Sequence, residues 1–199
     1  MAILINSGTP KDEKNRWGTL IECFNDGQYL YGRPFEIDVC AEPETAKVNR
    51  FMVAPEWFEA RRLSSFGASG HKGFNLKPEQ SIVGFDALQC DWGPNWWLNP
   101  PFDLKAEFIA KATEEARKGN PGMMLIPYEP LTAWWRNTIE GVATRIYEPD
   151  GRYNFYEIDG ETRKSGVNFG CAFVLFTPEG PTTPRQPFRR GIALNAFTC

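Results

Sequence analysis

The chain has 199 residues, of which 42% are hydrophobic, 14% aromatic and 24% charged, with a formal net charge of −3. That length suggests one domain, or one domain with a large insertion, able to bury a core without disulfides. The mean hydropathy of −0.43, with no apolar run near the ~20 residues of a bilayer span, argues against an integral membrane protein.

The charged stretch Lys11–Arg16 is not followed by an apolar run, so no signal peptide is expected. Five cysteines (Cys23, Cys40, Cys90, Cys171, Cys199) form no CxxC pair, which disfavours a disulfide framework and a cysteine zinc site. His71 is the only histidine, which leaves histidine metal sites and Ser/His triads short of parts. No metal is implied. The acidic balance counts mildly against a nucleic-acid partner, although Arg61, Arg62, His71, Lys72, Lys77, Arg185, Arg189 and Arg190 cluster locally, either as solvated surface or as a phosphate-facing patch.

Residues 1–16 read as a polar arm. Trp17 to Phe24 has helical spacing, and Phe35 to Cys40 alternates before turning apolar, as a strand entering a sheet would. Helices are expected over Glu44–Arg50 and Pro55–Phe66, followed by a glycine-rich loop over residues 67–78. Ser81–Leu88 and Trp96–Leu98 read as strands. Asp103 can cap a helix running to Lys118, with Phe108, Ile109, Ala112 and Ala116 on one face. Met123–Ile126 suits a buried strand and Leu131–Ile139 a helix. Asp150-Gly151 and Asp159-Gly160 have the chemistry of hairpin turns, and Cys171–Phe176 closes the sheet. After Pro178 the Pro/Thr/Arg-rich tail has little capacity to form a core. The expected fold is an α/β sheet, mostly parallel, with an antiparallel C-terminal edge.

The most informative stretch is Asn99-Pro100-Pro101-Phe102, directly after the apolar run Trp96–Leu98. Two prolines remove two backbone donors and fix φ, so the chain leaves the sheet in a rigid turn. In an open α/β sheet such a turn lies outside the carboxyl end of a strand, where ligands bind. A plain proline-rich turn would satisfy the same four residues. The functional reading explains more, because an amide beside a rigidly held carbonyl offers two acceptors aimed at one point, with an aromatic ring next in sequence. Methylation of an exocyclic amine needs that arrangement. The lone pair of such an amine is delocalised into its ring until its protons are held and its geometry drawn toward tetrahedral. A base inside a duplex would first have to be flipped out.

These residues resemble the (D/N)PP(Y/F) motif of amino-methyltransferases that use S-adenosylmethionine, and residues 17–177 resemble the phage-type DNA N6-adenine methyltransferases, the Dam-like group. Phe35–Lys47 is similar to that family's early strand and the segment after it, and Asp86–Trp92 to the segment ahead of its motif. Leu125-Ile126-Pro127, Trp134-Trp135, Gly151-Arg152 and Phe155 fall in the family's order. The resemblance implies a Rossmann-like sheet binding S-adenosylmethionine and acting on DNA, in the host cytoplasm if phage-encoded.

It also implies roles. Asn99 and Pro100 would hold the amine, with Pro101 shaping the turn and Phe102 stacking on the flipped base. Asp38 would lie beside the methionine portion of the cofactor, Glu44 near its ribose, and Asp91 with Trp92 at its adenine, with Cys40 and Ala41 as further cofactor contacts. Arg61, Arg62, His71, Lys72 and Arg152 are the candidate DNA contacts. The chain departs from the family in carrying Ala41-Glu42-Pro43 where many methyltransferases have a glycine-rich loop, and Thr19-Leu20 in place of Thr-Pro. Residues 56–80 are longer than the usual connection, either a DNA-contacting insertion or a cover for one edge of the core. The division expected is therefore an arm at 1–16, a catalytic domain at 17–177 and a tail at 178–199. RNA or a protein amide as substrate, or a silent nucleic-acid-binding scaffold, are the competing readings.

Overall fold

The computed structural model describes residues 15–59, 76–164, 166–182 and 185–195. Chain order begins with β1 (Gly18–Thr19), helix α1 (Ile21–Tyr31), β2 (Ile37–Asp38), β3 (Arg50–Val53), β4 (Ser81–Phe85) and β5 (Trp96–Leu98). A 3-10 turn (Phe102–Leu104) then leads into α2 (Lys105–Arg117), β6 (Gly122–Pro127), α3 (Ala133–Thr138) and β7 (Arg145–Pro149). The chain ends with β8 (Phe155–Tyr156), β9 (Cys171–Phe176), β10 (Gln186–Phe188) and α4 (Ile192–Asn195).

Eight strands form one sheet in the order β10-β7-β9-β6-β5-β2-β3-β4, and β1 pairs with β8 in a two-stranded ribbon. Strands β2 to β6 pair in parallel, whereas β9 is antiparallel to both β6 and β7. It follows that β7 runs with the parallel set, as does β10 beside it. The expected antiparallel edge is thus one reversed strand inside the sheet, and the edge itself is parallel.

Alternation along the central strands explains the layering. Trp96, Leu98, Met124 and Ile126 face one side and pack with Phe108, Ile109 and Ala112 of α2 and Trp135 of α3. Trp97, Met123, Leu125 and Phe173 face the other and meet Cys23 and Phe24 of α1. A period of two thus sends a continuous apolar run to both faces, as expected of a strand covered on both sides. Gly27 lets α1 approach closely, since a Cβ there would stand 2.8 Å from the Trp97 ring.

Several local expectations change in the folded chain. Residues 44–49 form turns and bends rather than a helix, and Arg50 already opens β3. Thr45 Oγ1 accepts the Glu42 N–H at 3.2 Å, and the Thr45 and Ala46 N–H groups return to the Glu42 carbonyl. A short hydroxyl side chain here offers the backbone an alternative to a helix. Gly18 and Thr19 join β1, so the helix read from Trp17 starts at Ile21. Asp103 lies within the 3-10 turn, and no side chain caps α2. Residues 55–59 are helical, and the rest of that expected helix lies outside the described residues.

Asp150-Gly151 makes no hairpin, because β7 pairs with β9 and β10 while β8 goes to β1. The Asp150 carboxylate instead accepts from Arg190 N at 3.2 Å and Nε at 3.0 Å. Asp159-Gly160 does turn a short ribbon, closed by Glu157 N to the Thr162 carbonyl at 2.8 Å. Beyond Pro178, β10 and α4 join the body and bury Phe188 and Ala193. Among the described residues no helix is long and apolar enough to cross a membrane.

Candidate active site

The sheet itself selects a site. From β2 the chain moves outward to β3 and β4, then crosses back to add β5 on the other side of β2. Such a reversal leaves a crevice at the carboxyl ends of the two central strands. At this edge β2 gives way to Val39, Cys40 and Ala41, β3 to Ala54, β4 to Asp86, and β5 to Asn99.

A cleft of about 520 Å³ lies here, lined by Trp17, Cys40, Ala41, Glu42, Asn99 and Pro101 among others. A smaller one of about 250 Å³ is lined by Val39, Val53, Asp86, Leu88 and Phe108. The two share Cys40, Ala54, Glu56, Pro101 and Leu104, so they are compartments of one crevice.

Asn99 is the chemically distinctive residue. Its Nδ2 donates to the Trp17 carbonyl at 3.2 Å. A carbonyl can only accept, so this contact fixes which way the amide is turned. Oδ1 is then buried with no partner. A buried unpaired acceptor costs about 1–3 kcal/mol, which the fold sustains at the mouth of a strand.

Pro100 is buried behind Asn99, and Pro101 starts the 3-10 turn by accepting Leu104 N at 3.0 Å. Phe102 is half-buried and meets Phe169 edge-on at 5.3 Å and Phe155 at 6.3 Å. Phe155 also stands 6.0 Å from Trp17, giving an aromatic wall continuous from Trp17 to Phe102.

The loop after β2 is held from inside. Asp38 is buried, and its Oδ2 accepts Lys47 N at 3.0 Å. Burial raises the Asp38 carboxyl to about 6, against the lowering effect of hydrogen bonds from Lys47 N and Cys40 N and of the Lys47 charge. Lys47, itself lowered by burial, donates from Nζ to the Thr45 carbonyl at 2.6 Å. Burial first, and the nearby Asp38 and Glu42 carboxylates after it, push the Cys40 thiol up to about 12, which favours the protonated form. Glu42 is clamped by Arg16 through two contacts of 2.5 and 2.7 Å.

Of the residues singled out from sequence, Cys40, Ala41, Asn99 and Pro101 line this crevice together, with Asp38 supporting the loop behind it. Glu44 is exposed on the same loop, and the lining acids are Glu42, Glu56 and Asp86. Asp91 stands elsewhere. It precedes β5, at the amino edge of the sheet, and pairs with Lys118 at 2.9 Å, which holds its carboxyl below the ordinary value. Trp92 is in the core, edge-on to Trp96 at 5.1 Å, with its indole N–H on the Ala87 carbonyl.

Arg152 is exposed, and its carbonyl accepts from Arg190. Arg61, Arg62, His71 and Lys72 lie outside the described residues. Asp86, Glu56, Glu42 and Trp17 were not anticipated. Asp86 did carry a signal, since it directly follows the alternating run Ser81–Phe85, as Asp38 closes its own strand. It takes a left-handed φ of 54°, which aspartate tolerates. Among the described residues no cluster of three metal-ligating side chains occurs.

Residues 79–188, more than half of the chain, match the family described as "DNA N-6-adenine-methyltransferase (Dam)". A protein named DNA N-6-adenine-methyltransferase from Haemophilus phage HP1 (strain HP1c1) is 23% identical over 181 residues, covering 90% of this chain and 88% of its own length. A protein of the same name from Escherichia phage T1 is 32% identical over 108 residues, covering 45% of this chain and 44% of its own.

Proposed function

Because this chain belongs to the DNA N-6-adenine-methyltransferase (Dam) family, we propose that it transfers a methyl group from S-adenosylmethionine to N6 of an adenine flipped out of DNA. The observation that carries this reading is the buried, unpartnered Oδ1 of Asn99 at the mouth of β5.

The crevice suits the cofactor in shape and chemistry. Val39, Val53, Leu88 and Phe108 offer an apolar slot for a planar ring, and Asp86 and Glu56 are acceptors for its amine and for ribose hydroxyls. Cys40 and Ala41, on the loop tied by Asp38, would flank the methionine portion. Bound there, S-adenosylmethionine supplies an electrophilic methyl carbon. The residues of the chain act on the amine. Asn99 Oδ1 accepts one N6–H and the Pro100 carbonyl the other, which frees the nitrogen lone pair from the ring. Phe102 and the wall beside it receive the base, offsetting the few kcal/mol of unstacking. The sheet is then the methyltransferase sheet of a catalytic domain that starts at residue 17 and runs past 177, since β10 (Gln186–Phe188) is one of its strands. Residues 56–80 and Arg152 are the proposed DNA contacts, and the host cytoplasm is the proposed site of action.

The direct test is to incubate the protein with unmethylated duplex DNA and methyl-labelled S-adenosylmethionine, then digest the DNA and identify the labelled nucleosides by mass spectrometry. Label in N6-methyldeoxyadenosine is the expected result. Cofactor binding with label only in RNA or protein would move the substrate. DNA binding without cofactor binding would favour a silent scaffold.

Asp38 gives a second expectation. As pH falls through about 6 the carboxylate takes up a proton and weakens as an acceptor for the loop amides, so cofactor affinity should decline. Stability should move the other way. The folded value lies above the ordinary 3.8, so the folded chain binds the proton first and gains stability as pH falls through that window. Calorimetric titration on both sides of the transition checks this, and Asp38→Asn should flatten both trends.

A further inference from the structure

Asn99 is not the only residue lining this cleft that buries an unpartnered polar atom. Trp17 lines it too, is 6% exposed, and buries its indole Nε1 with no hydrogen-bond partner. Trp135 Nε1 shares that lack, but Trp135 is sealed in the core and lines neither compartment of the crevice. The two lining residues form one unit, because Asn99 Nδ2 is bonded to the Trp17 carbonyl. Lys164 stands over the Trp17 ring at 5.3 Å, Phe155 packs against it at 6.0 Å, and the following residue Gly18 pairs with β8. The indole is therefore held by its surroundings rather than by a bond at its own nitrogen.

One orphan acceptor and one orphan donor on adjacent residues match a definite chemical edge. The Watson–Crick edge of adenine presents an amine donor next to the ring acceptor N1, an order that cytosine shares through its N4 amine and N3. Thymine and guanine present an acceptor next to a ring N–H, the reverse order. We infer that Trp17 is a specificity-determining residue whose indole N–H donates to N1 of the flipped adenine while Asn99 Oδ1 accepts from N6. This rests on the reading of the cleft as an adenine-methylating site. It gives that site a reason to reject thymine and guanine, because either base would leave both buried groups unpaired, the arrangement by which sites discriminate most strongly.

The test uses the full-length protein and S-adenosylmethionine, with synthetic duplexes placing adenine, 1-deazaadenine, 3-deazaadenine or 7-deazaadenine at a position first mapped by methylation of natural DNA. For the wild-type protein, 1-deazaadenine should lower kcat/KM at least about tenfold more than the other two analogues. The W17F variant, which keeps a packed ring but has no N–H, should lose a similar factor on adenine and then respond equally to all three analogues. Its cofactor affinity should stay at the wild-type level. Equal losses on all three analogues in the wild-type protein would overturn the assignment without using any variant. So would a W17F protein that still penalises 1-deazaadenine selectively, or one whose loss lies in cofactor affinity, which would make the indole a cofactor donor. Failure of the wild-type protein to methylate any adenine in DNA would instead remove the underlying reading, and this assignment with it.

Discussion

Replacing Asn99 with alanine should lower kcat for methyl transfer at least about a hundredfold, the usual cost of deleting one preorganised hydrogen-bonding group aimed at a reacting centre. Cofactor affinity should remain within a few-fold of wild type, since the apolar slot and its acids come from other strands. The stability change should be small, and the reason is specific to this site. The variant loses the bond to the Trp17 carbonyl, worth about 0.5–1.5 kcal/mol, but also removes an acceptor buried without a partner, which costs about 1–3 kcal/mol. The two terms oppose each other. Labelled methyl transfer, calorimetry with S-adenosylmethionine and thermal unfolding read the three quantities separately.

Asn99→Asp is the informative companion. It retains an acceptor for the amine but loses the donor that faces the Trp17 carbonyl, so two oxygens confront each other. Activity should exceed that of the alanine variant while stability drops below it. Wild-type turnover in Asn99→Ala would remove the amide from the mechanism. A collapse in stability without the aspartate variant recovering any activity would make Asn99 a structural residue only.

What could be read before folding depended on how local the cause was. The turn at Asn99-Pro100-Pro101-Phe102 was legible because prolines act on their own φ and donors wherever they stand. The buried face of α2 was legible because Phe108, Ile109, Ala112 and Ala116 repeat at helical spacing, and all four are in the core. Asp86 and Asp91 were not separable in the same way. Both are aspartates within one turn-rich connection, and only the sheet decides that Asp86 ends β4 at the carboxyl edge while Asp91 precedes β5 at the other.

Direction within the sheet was hidden for the same reason. The sequence of Cys171–Phe176 is compatible with an edge, but its pairing with both β6 and β7 places it inside. The helix expected at Glu44–Arg50 gave way to tertiary demands, since a buried carboxylate at Asp38 recruits the Lys47 amide from nine residues away. Trp17 carried no local signal at all. Its part in the cleft depends on a bond to a residue 82 positions later.

Asp26 shows how a segment of low core-forming capacity is nevertheless built in, and its removal should give the largest loss of stability. Asp26 is 1% exposed in the middle of α1. Its carboxylate accepts the Tyr153 hydroxyl at 2.6 Å, Gly191 N at 2.7 Å and Ala193 N at 3.0 Å. Burial and the bond to Asp26 both push the Tyr153 phenol far above its ordinary value, so the hydroxyl remains a donor. One carboxylate therefore fastens α4 and the segment before β8 to the helix that packs on Trp97. Asp26→Ala would leave three donors without their acceptor in a buried site. A buried donor left without its acceptor typically costs about 1–3 kcal/mol, so three of them amount to a large part of the 5–15 kcal/mol that holds a domain together. The midpoint of urea unfolding should fall accordingly. Asp26→Asn, which keeps one acceptor oxygen, should lose less. The effect should also be strongest at the C-terminal segment, because α4 lines neither compartment of the crevice at Asn99, so protease cutting should begin after β10 before activity is lost. If Asp26→Ala unfolded at the wild-type denaturant concentration, the carboxylate would not be what joins the C-terminal segment to the fold.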